Sequence, residues 1–209
     1  MLIPAGEAEL EAVLWEPEGV EPRGAALLCH PHPLHGGTMN NRVVYRAAKG
    51  AVEAGLAALR FNFRGVGAST GSHDNGRSEQ RDVKSLLDWM QERYPQLPLA
   101  LVGFSFGAWV GLRAAHRDPR VKALVGLGLP LGSYDFGFLR DNDIPSLFIV
   151  GTRDEFCPHE EMKLLEARLP ATSAVRWIAG ADHFFTRQID QVQVLTRNFL
   201  RGQFEGSPT

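Results

Sequence analysis

The sequence predicts an α/β fold with a mostly parallel sheet, helices on both faces and an antiparallel hairpin at the N-terminus. Short apolar runs alternate with segments of about ten to fifteen residues that have helical periodicity. Most of these runs are continuously apolar, which is typical of strands covered on both faces. The chain has 209 residues and 44% hydrophobic content, enough for one well-filled core. We expect a single domain over residues 1–205 and a disordered tail over 206–209.

The first half of the chain supplies four predicted elements. Residues 9–15 and 24–30 form strands separated by a turn rich in Pro, Gly and Glu, which suits an antiparallel hairpin between them. The second of these strands is nearly all apolar and should be interior. The apolar residues within 42–54 recur at helical spacing, which predicts a helix that ends before Gly55. Residues 56–63 are predicted to form the next strand.

The second half continues the alternation around one central strand, residues 99–104. A helix over 79–94 precedes it and is ended by prolines, and a helix begins directly after it. The remaining strands are predicted at 121–129, 146–150 and 174–178, with helices at 159–168 and 189–203.

Composition excludes several classes of partner. The net charge of −2 and the lack of a long basic run give no basis for binding nucleic acid or an anionic membrane. A small neutral or weakly charged substrate fits better. The first residues lack a signal-peptide pattern, and no window is apolar enough to span a membrane, so we expect a cytoplasmic protein. Cys29 and Cys157 are predicted to be buried thiols rather than a disulfide.

A nucleophile is predicted at Ser105. The sequence Gly103-Phe-Ser-Phe-Gly107 joins the central strand to a helix, which places the serine at a sharp corner with positive φ. The two glycines remove Cβ atoms that would collide as strand and helix converge. The helix begins at Phe106 and offers free N–H groups beside the hydroxyl.

The partners of the serine are predicted from the loops after two later strands. Asp154 and His183 each follow an apolar run, and the carboxyl ends of parallel strands meet at one edge of a sheet. His183 would accept the proton of Ser105, and Asp154 would orient the imidazole. Glu155 is the alternative acid, whereas Asp182 more plausibly caps the turn that holds the histidine.

An oxyanion hole is predicted from the loop after the strand at 24–30. Its prolines have no N–H, so the donor must be His32 or Leu34, and His32 fits the register better. Phe106 would supply the second N–H. The histidines at 30, 32 and 35 could instead form a metal cluster, but no acidic residue lies near in sequence to complete it and hydrolysis by a serine needs no metal, so we expect no metal and no cofactor.

Two further segments have alternative interpretations. The glycine-rich loop 62–71 does not open directly into a helix, so we interpret it as a tight turn rather than a dinucleotide site, in which Arg64 ties loops together or binds a substrate carboxylate. Residues 131–139 stand where a lid would be inserted, and the interval is too short for a cap domain. Tyr134 and Phe136, with Leu34, are predicted to line an apolar substrate pocket, although the aromatic side chains could equally pack on the core.

Five segments together carry a family resemblance. They are Cys29-His-Pro-His-Pro, Arg60-Phe-Asn-Phe-Arg-Gly-Val-Gly, Gly103-Phe-Ser-Phe-Gly, Gly151-Thr-Arg-Asp and Gly180-Ala-Asp-His. The chain resembles the small lidless α/β-hydrolases close to the dienelactone-hydrolase group. The resemblance implies an α/β-hydrolase sheet and a Ser105, His183, Asp154 triad that acts on esters, thioesters or related acyl compounds. Dienelactone hydrolases proper use cysteine as the nucleophile, so their lactone specificity is not carried over.

The sequence therefore predicts a serine hydrolase that cleaves a small ester or thioester through an acyl-enzyme. A peptidase or amidase with the same triad is the nearest alternative. A binding or scaffold protein that keeps the fold without catalysis is the alternative from another class. The oligomeric state is not predicted.

Overall fold

The protein is built on one eight-stranded sheet in a computed structural model that describes residues 1–205. The predicted tail at 206–209 lies outside the described residues. Along the chain the strands are β1 (Leu2–Ala5), β2 (Ala8–Trp15), β3 (Ala25–Cys29), β4 (Ala57–Phe61), β5 (Leu99–Phe104), β6 (Val121–Leu127), β7 (Ser146–Gly151) and β8 (Ser173–Ile178).

The strand order across the sheet is β1-β2-β4-β3-β5-β6-β7-β8. From β4 onward every pairing is parallel, while β1 pairs with β2 and β2 with β4 in antiparallel register. The predicted fold class is confirmed, including the antiparallel start of the sheet and the lack of a cap domain over the described residues.

The prediction of the hairpin partners is wrong. We expected residues 9–15 to pair with 24–30, but β2 pairs with the short strand β1 across a turn at Gly6, whose φ is 62°. β4 lies between β2 and β3. β3 is buried along its whole length because strands pair with both of its edges and its side chains enter the cores on both faces of the sheet. A two-residue turn closes a hairpin locally, whereas the longer connection after β2 leaves room for β4 to be inserted. Pro4 is tolerated in β1 because that strand is at the sheet edge.

Helices cover both faces of the sheet. They are α1 (Arg42–Glu53), α2 (Arg77–Arg93), α3 (Phe106–Ala115), α4 (His159–Glu166) and α5 (Ile189–Phe204). Side chains of α1 and α5 belong to one hydrophobic core, and those of α2, α3 and α4 belong to the core on the opposite face. None of these helices is long and apolar enough to cross a membrane.

Successive side chains of the central strand β5 belong alternately to the two hydrophobic cores. Leu99 and Leu101 pack with α2 and α3, whereas Ala100, Val102 and Phe104 pack with α1 and α5. Successive side chains of a strand point to opposite faces, so a continuously apolar strand is what a sheet covered on both sides requires. The parallel strands end at a common edge, and the loops after β3, β5, β7 and β8 meet there.

The corner between β5 and α3 brings backbone atoms into close contact. A Cβ on Gly103 would meet the backbone of Gly107 and Ala108, and a Cβ on Gly107 would meet the carbonyl groups of Cys29 and His30. The first glycine lets α3 fold back on its own strand, and the second lets α3 rest on the end of β3. The first is the close approach between strand and helix that the sequence predicts, whereas the second is made to β3 and not to the central strand.

Replacing Gly107 with alanine should therefore destabilise the fold. The added methyl group has backbone atoms as neighbours, which cannot rotate away, so we expect a loss on the order of 2 kcal/mol in the free energy of unfolding. Urea denaturation measures it. Gly202→Ala is the matched control, because among residues 1–205 no atom outside its own stretch of α5 lies within 4 Å of its Cβ position, and alanine there should be neutral or slightly stabilising. Equal effects of the two changes would contradict the packing argument.

Candidate active site

Ser105 occupies the corner between β5 and α3. Its backbone has φ 55° and ψ −123°, a conformation that a residue with a side chain rarely adopts. Its N–H is bound by the carbonyl group of Leu127 on β6, and its own carbonyl group accepts from Ala108 and Trp109. These bonds from two elements hold the strained conformation. The N–H of Phe106, the first residue of α3, has no partner among the described residues.

A chain of hydrogen bonds links Ser105 to two side chains from other loops. Ser105 Oγ lies 2.9 Å from His183 Nε2, and His183 Nδ1 lies 2.9 Å from each carboxylate oxygen of Asp154. A carboxylate can only accept, so Nδ1 carries the ring proton and Nε2 is left to accept the hydroxyl proton. The three residues that the sequence predicts are thus brought together in hydrogen-bonding geometry.

The Asp154 carboxylate is fully buried and held in place by its own loop. Its Oδ1 accepts the backbone N–H of Phe156 at 2.9 Å and that of Cys157 at 3.2 Å. Gly151 allows this loop to approach the one that carries His183, because a Cβ there would meet the carbonyl group of Ala181. Two bonds from the backbone and one from the imidazole leave the carboxylate little freedom to turn.

The rival acids are placed elsewhere. Glu155 is exposed and makes no contact with the imidazole among the described hydrogen bonds. Asp182 accepts the N–H of Thr186 at 2.9 Å, which lowers the pKa of its carboxyl group and caps the turn after His183. Cys157 lies beside Asp154, but burial, with the nearby carboxylate, raises the pKa of its thiol to about 12. Both cysteines are buried and free.

Aromatic rings surround the His183 imidazole. Ring centroids lie 5.0 Å away for Phe104, 4.7 Å for Phe156 and 5.3 Å for Phe184. Gly128, after β6, provides the space for the imidazole, since a Cβ there would lie 3.1 Å from Nδ1. Phe156 and Phe184 are 45% and 49% exposed. Sequence reasoning missed these two side chains, although each stands within two positions of a predicted site residue.

The loop after β3 presents one of its two candidate donors. The N–H of Leu34 is taken by His32 Nδ1 at 3.2 Å, in a short 3-10 helix over Pro33–His35. The N–H of His32 has no partner among the described residues. Burial, with His35 and His73 nearby, lowers the pKa of the His32 ring and favours the neutral form that accepts this bond.

His30 anchors this loop from inside the protein. Its ring is fully buried, Nδ1 lies 2.7 Å from the carbonyl oxygen of Pro31, and Nε2 accepts the N–H of Phe63 at 2.9 Å. Both ring nitrogens are therefore used, one on each of two loops. From its sequence position, His30 is interpreted only as the end of a strand and as a member of a possible metal cluster. Among residues 1–205, no group of three or more His, Cys, Asp or Glu side chains is arranged to hold a metal ion.

Side chains of β4 and the following loop provide further anchors. Asn62 Oδ1 accepts the N–H of Met39 at 2.8 Å, and Arg60 Nη1 donates to the carbonyl oxygen of the same residue at 2.8 Å. The segment that leads from the donor loop into α1 is thus held at both backbone groups. Arg64 forms a two-point ion pair with the buried Asp82, with distances of 2.8 and 2.6 Å. Because Asp82 belongs to α2, this pair ties the loop 62–71 to a helix rather than to another loop.

A cavity of about 300 Å³ opens beside Ser105. His32, Phe106, Tyr134 and His183 line it, together with Pro31, His35, Gly36, Gly37, Asn41, Pro130, Ser133, Phe156 and Phe184. Two predicted substrate-binding residues are not brought to this cavity. The side chain of Leu34 points to solvent and is 69% exposed, and Phe136 is buried against Phe138 and the core.

The eight-stranded sheet, the serine at the β5 to α3 corner and the missing cap define the class of lidless α/β serine hydrolases. Residues 25–199 match the model of the family described as alpha/beta hydrolase domain. The chain belongs to this family, and the activity that membership supports is hydrolysis. The resemblance seen in the sequence is confirmed at this level.

Two solved structures are similar over nearly the whole chain. One is an alpha-beta serine hydrolase homologue from Coxiella burnetii, 37% identical, with a TM-score of 0.89 and coverage of 95% of both chains. The other is a serine hydrolase without lid from Xanthomonas campestris, 31% identical, with a TM-score of 0.90 and coverage of 100% of this chain and 95% of the other.

Two curated relatives differ in how far they match. An uncharacterized protein of Rickettsia prowazekii is 38% identical over 184 residues, which cover 84% of this chain and 77% of that protein. The mitochondrial palmitoyl-protein thioesterase ABHD10 of Homo sapiens is 37% identical over 76 residues, which cover 35% of this chain and 24% of the thioesterase. The second match therefore spans about a quarter of that protein.

The buried His30 should make stability depend on pH. Burial lowers the pKa of this ring from 6.5 to about 4, so between these values the unfolded chain binds a proton that the folded protein does not. The contribution is complete above pH 6.5 and is lost as the pH falls toward 4. We expect about 3 kcal/mol less unfolding free energy at the acid end from this group, measured by urea denaturation.

The variant His30→Gln isolates this effect from that of the carboxylates. It should be less stable than wild type at neutral pH, because the bonds to Pro31 and Phe63 are weakened. It should also lose less stability between pH 6.5 and 4. A variant with the same pH dependence as wild type would contradict the assignment to His30.

Proposed function

We propose that the protein cleaves carboxylic esters or thioesters of small substrates, with Ser105, His183 and Asp154 as a catalytic triad. The observation that carries the proposal is the unbroken series of hydrogen bonds from the Ser105 hydroxyl to a buried carboxylate, at a cavity open to substrate. A serine hydroxyl is a weak nucleophile unless an adjacent base takes its proton.

In the first half of the reaction, Ser105 Oγ attacks the carbonyl carbon of the substrate while its proton passes to His183 Nε2. The negative charge that forms on the carbonyl oxygen is stabilised by the N–H groups of His32 and Phe106. Asp154 keeps Nδ1 protonated and favours the positively charged imidazole. His183 then protonates the departing alcohol or thiol, and the acyl group remains on Ser105.

In the second half, water replaces the leaving group. His183 accepts a proton from the water, whose oxygen attacks the acyl carbon, and the same N–H groups stabilise the second oxyanion. The carboxylic acid departs as the proton returns to Ser105. No step requires a cofactor or metal ion.

The class of substrate is proposed from the cavity and from one relative. The cavity is lined largely by apolar and aromatic side chains. Its polar groups are those of Ser105, His183, Ser133, Asn41, the Tyr134 hydroxyl and the donor-loop histidines His32 and His35. The human thioesterase acts on palmitoyl-protein, which makes a thioester a reasonable alternative to an oxygen ester. The particular acyl group, the cytoplasmic location, the closeness to dienelactone hydrolases and the one-domain organisation over residues 1–205 stay predictions.

A fluorophosphonate probe tests the nucleophile. The wild-type protein should be labelled covalently, and Ser105→Ala should not, because the probe reacts with a serine activated by a base. His183→Ala should be labelled far more slowly. Labelling is followed by intact-protein mass spectrometry, and circular dichroism confirms that the variants fold. An unlabelled wild-type protein would contradict the proposed function and favour a scaffold protein.

Substitutions at position 32 test the oxyanion donor. The backbone φ of His32 is −53°, close to the value that proline imposes, so His32→Pro removes the N–H with little change in conformation. We expect it to lower kcat by roughly 100-fold to 1,000-fold. His32→Ala, which keeps the N–H and removes the ring, should lose much less.

These rates are measured with a phenyl ester and a phenyl thioester of the same acid, beside the corresponding anilide. Equal losses in the proline and alanine variants would exclude the His32 N–H as the donor. Cleavage of the anilide as fast as the ester would favour the amidase alternative.

A further inference from the structure

A second cavity adjoins the one beside Ser105. It has a volume of about 220 Å³ and is lined by Asn41, Arg42, Val43, Phe184, Thr186 and Ile189. Asn41 and Phe184 also line the first cavity, so the two share a wall. The first turn of α1 forms one side of this second cavity, and the loop between His183 and α5 forms the other.

We propose that this second cavity binds the leaving group of the substrate and favours one that carries a carboxylate, held by Arg42. The inference rests on the proposed function and deepens it, because it assigns a chemical class to the alcohol or thiol that departs. The acyl group would then occupy the other end of the first cavity, near Tyr134 and Ser133.

The position of His183 places the leaving group on this side. His183 Nε2 must deliver its proton to the departing oxygen or sulfur, so that atom has to lie against the imidazole. Phe184 follows His183 in sequence and lies 5.3 Å from its ring, and beyond Phe184 the second cavity begins. A leaving group that extends past Phe184 therefore enters this cavity.

Phe184 has the exposure expected of a binding surface. Its ring is 49% exposed, although the neighbouring Phe185 and Ile189 are buried in the core of the α1 and α5 face. An aromatic face left in water contributes little to folding, whereas covering it with an apolar or aromatic ligand is favourable. The ring thus suits contact with the carbon skeleton of a leaving group.

Arg42 is the one charged residue among the six that line the second cavity. It takes part in none of the ion pairs of the described residues, whereas Arg46, one turn further along α1, pairs with Asp190 at 2.9 Å. No carboxylate of the described part of the chain lines either cavity, and the nearby Asp182 accepts the N–H of Thr186. A carboxylate on the ligand would therefore meet a cation without a competing partner.

Matched acetate esters test this assignment. The two substrates are para-acetoxybenzoate and its neutral amide, para-acetoxybenzamide, which share the acetyl group and differ in the charge of the leaving group. The quantity measured is the ratio of kcat/KM for the carboxylate over that for the amide. In wild type this ratio should fall as ionic strength rises to about 1 M, because salt screens the exposed charge pair.

Three variants decide the role of Arg42. Arg42→Gln should lower the ratio about fivefold, the effect expected for a partly exposed ion pair. Arg42→Lys should keep most of the wild-type ratio, because lysine preserves the positive charge. Arg46→Gln, on the same helix but outside both cavities, should leave the ratio as in wild type.

A ratio unchanged in Arg42→Gln overturns the proposal. A dependence on Arg42 that appears with an anionic acyl group, measured with mono-phenyl succinate against phenyl butyrate, overturns the assignment to the leaving group. Failure of the proposed function is distinguishable from both, since the wild-type protein would then cleave neither acetate ester and would not be labelled at Ser105.

Discussion

The packing of the start of α3 against the end of β3 is the contact on which the site depends. Gly107 lies directly on the carbonyl groups of Cys29 and His30, where any side chain would collide. Because this contact is so close, the same arrangement that exposes Ser105 also sets the loop carrying His32 beside it. The nucleophile and the donor loop are therefore positioned by one backbone contact, and the strain in Ser105 is maintained by bonds from β6 and α3.

Because the site has no cap domain, the loops around it have to be held rigid by the buried side chains beneath them. No segment within residues 1–205 folds over Ser105 to order the loops when substrate binds, so their arrangement has to exist beforehand. Buried polar groups provide it: His30 joins the donor loop to the end of β4, and Arg60 and Asn62 hold Met39 at both backbone groups. Such groups are costly to bury unless they are bonded, and here each of them makes at least one bond to a backbone atom of the segments that form the site.

The sequence predicts the core strands, and the edge of the sheet at which the three candidate site residues lie, for a physical reason. Parallel strands buried on both faces must be continuously apolar, and their carboxyl ends must meet, so Ser105, Asp154 and His183 can be placed at one edge from local patterns alone. Pairing between strands is not local, and the hairpin prediction failed because nothing in residues 9–30 shows that β4 inserts between β2 and β3. The direction of a side chain in a loop cannot be predicted from local sequence patterns either. Leu34 and Phe136 lie in the expected loops, but Leu34 points to solvent and Phe136 points to the core.

From the sequence alone, no role in the site is assigned to His30, Phe156 or Phe184. Only the structure could reveal the role of His30, whereas the two phenylalanines could have been noticed from their positions in the sequence. His30 adjoins an apolar strand and two prolines, and only the structure shows that its ring bridges two loops, because its partners are backbone atoms distant in sequence. Phe156 and Phe184 were visible as aromatics within two positions of Asp154 and His183. A folding argument assigns such residues to the core, yet both remain about half exposed around the imidazole. Since burial does not account for them, contact with substrate on either side of His183 is the role that their position supports.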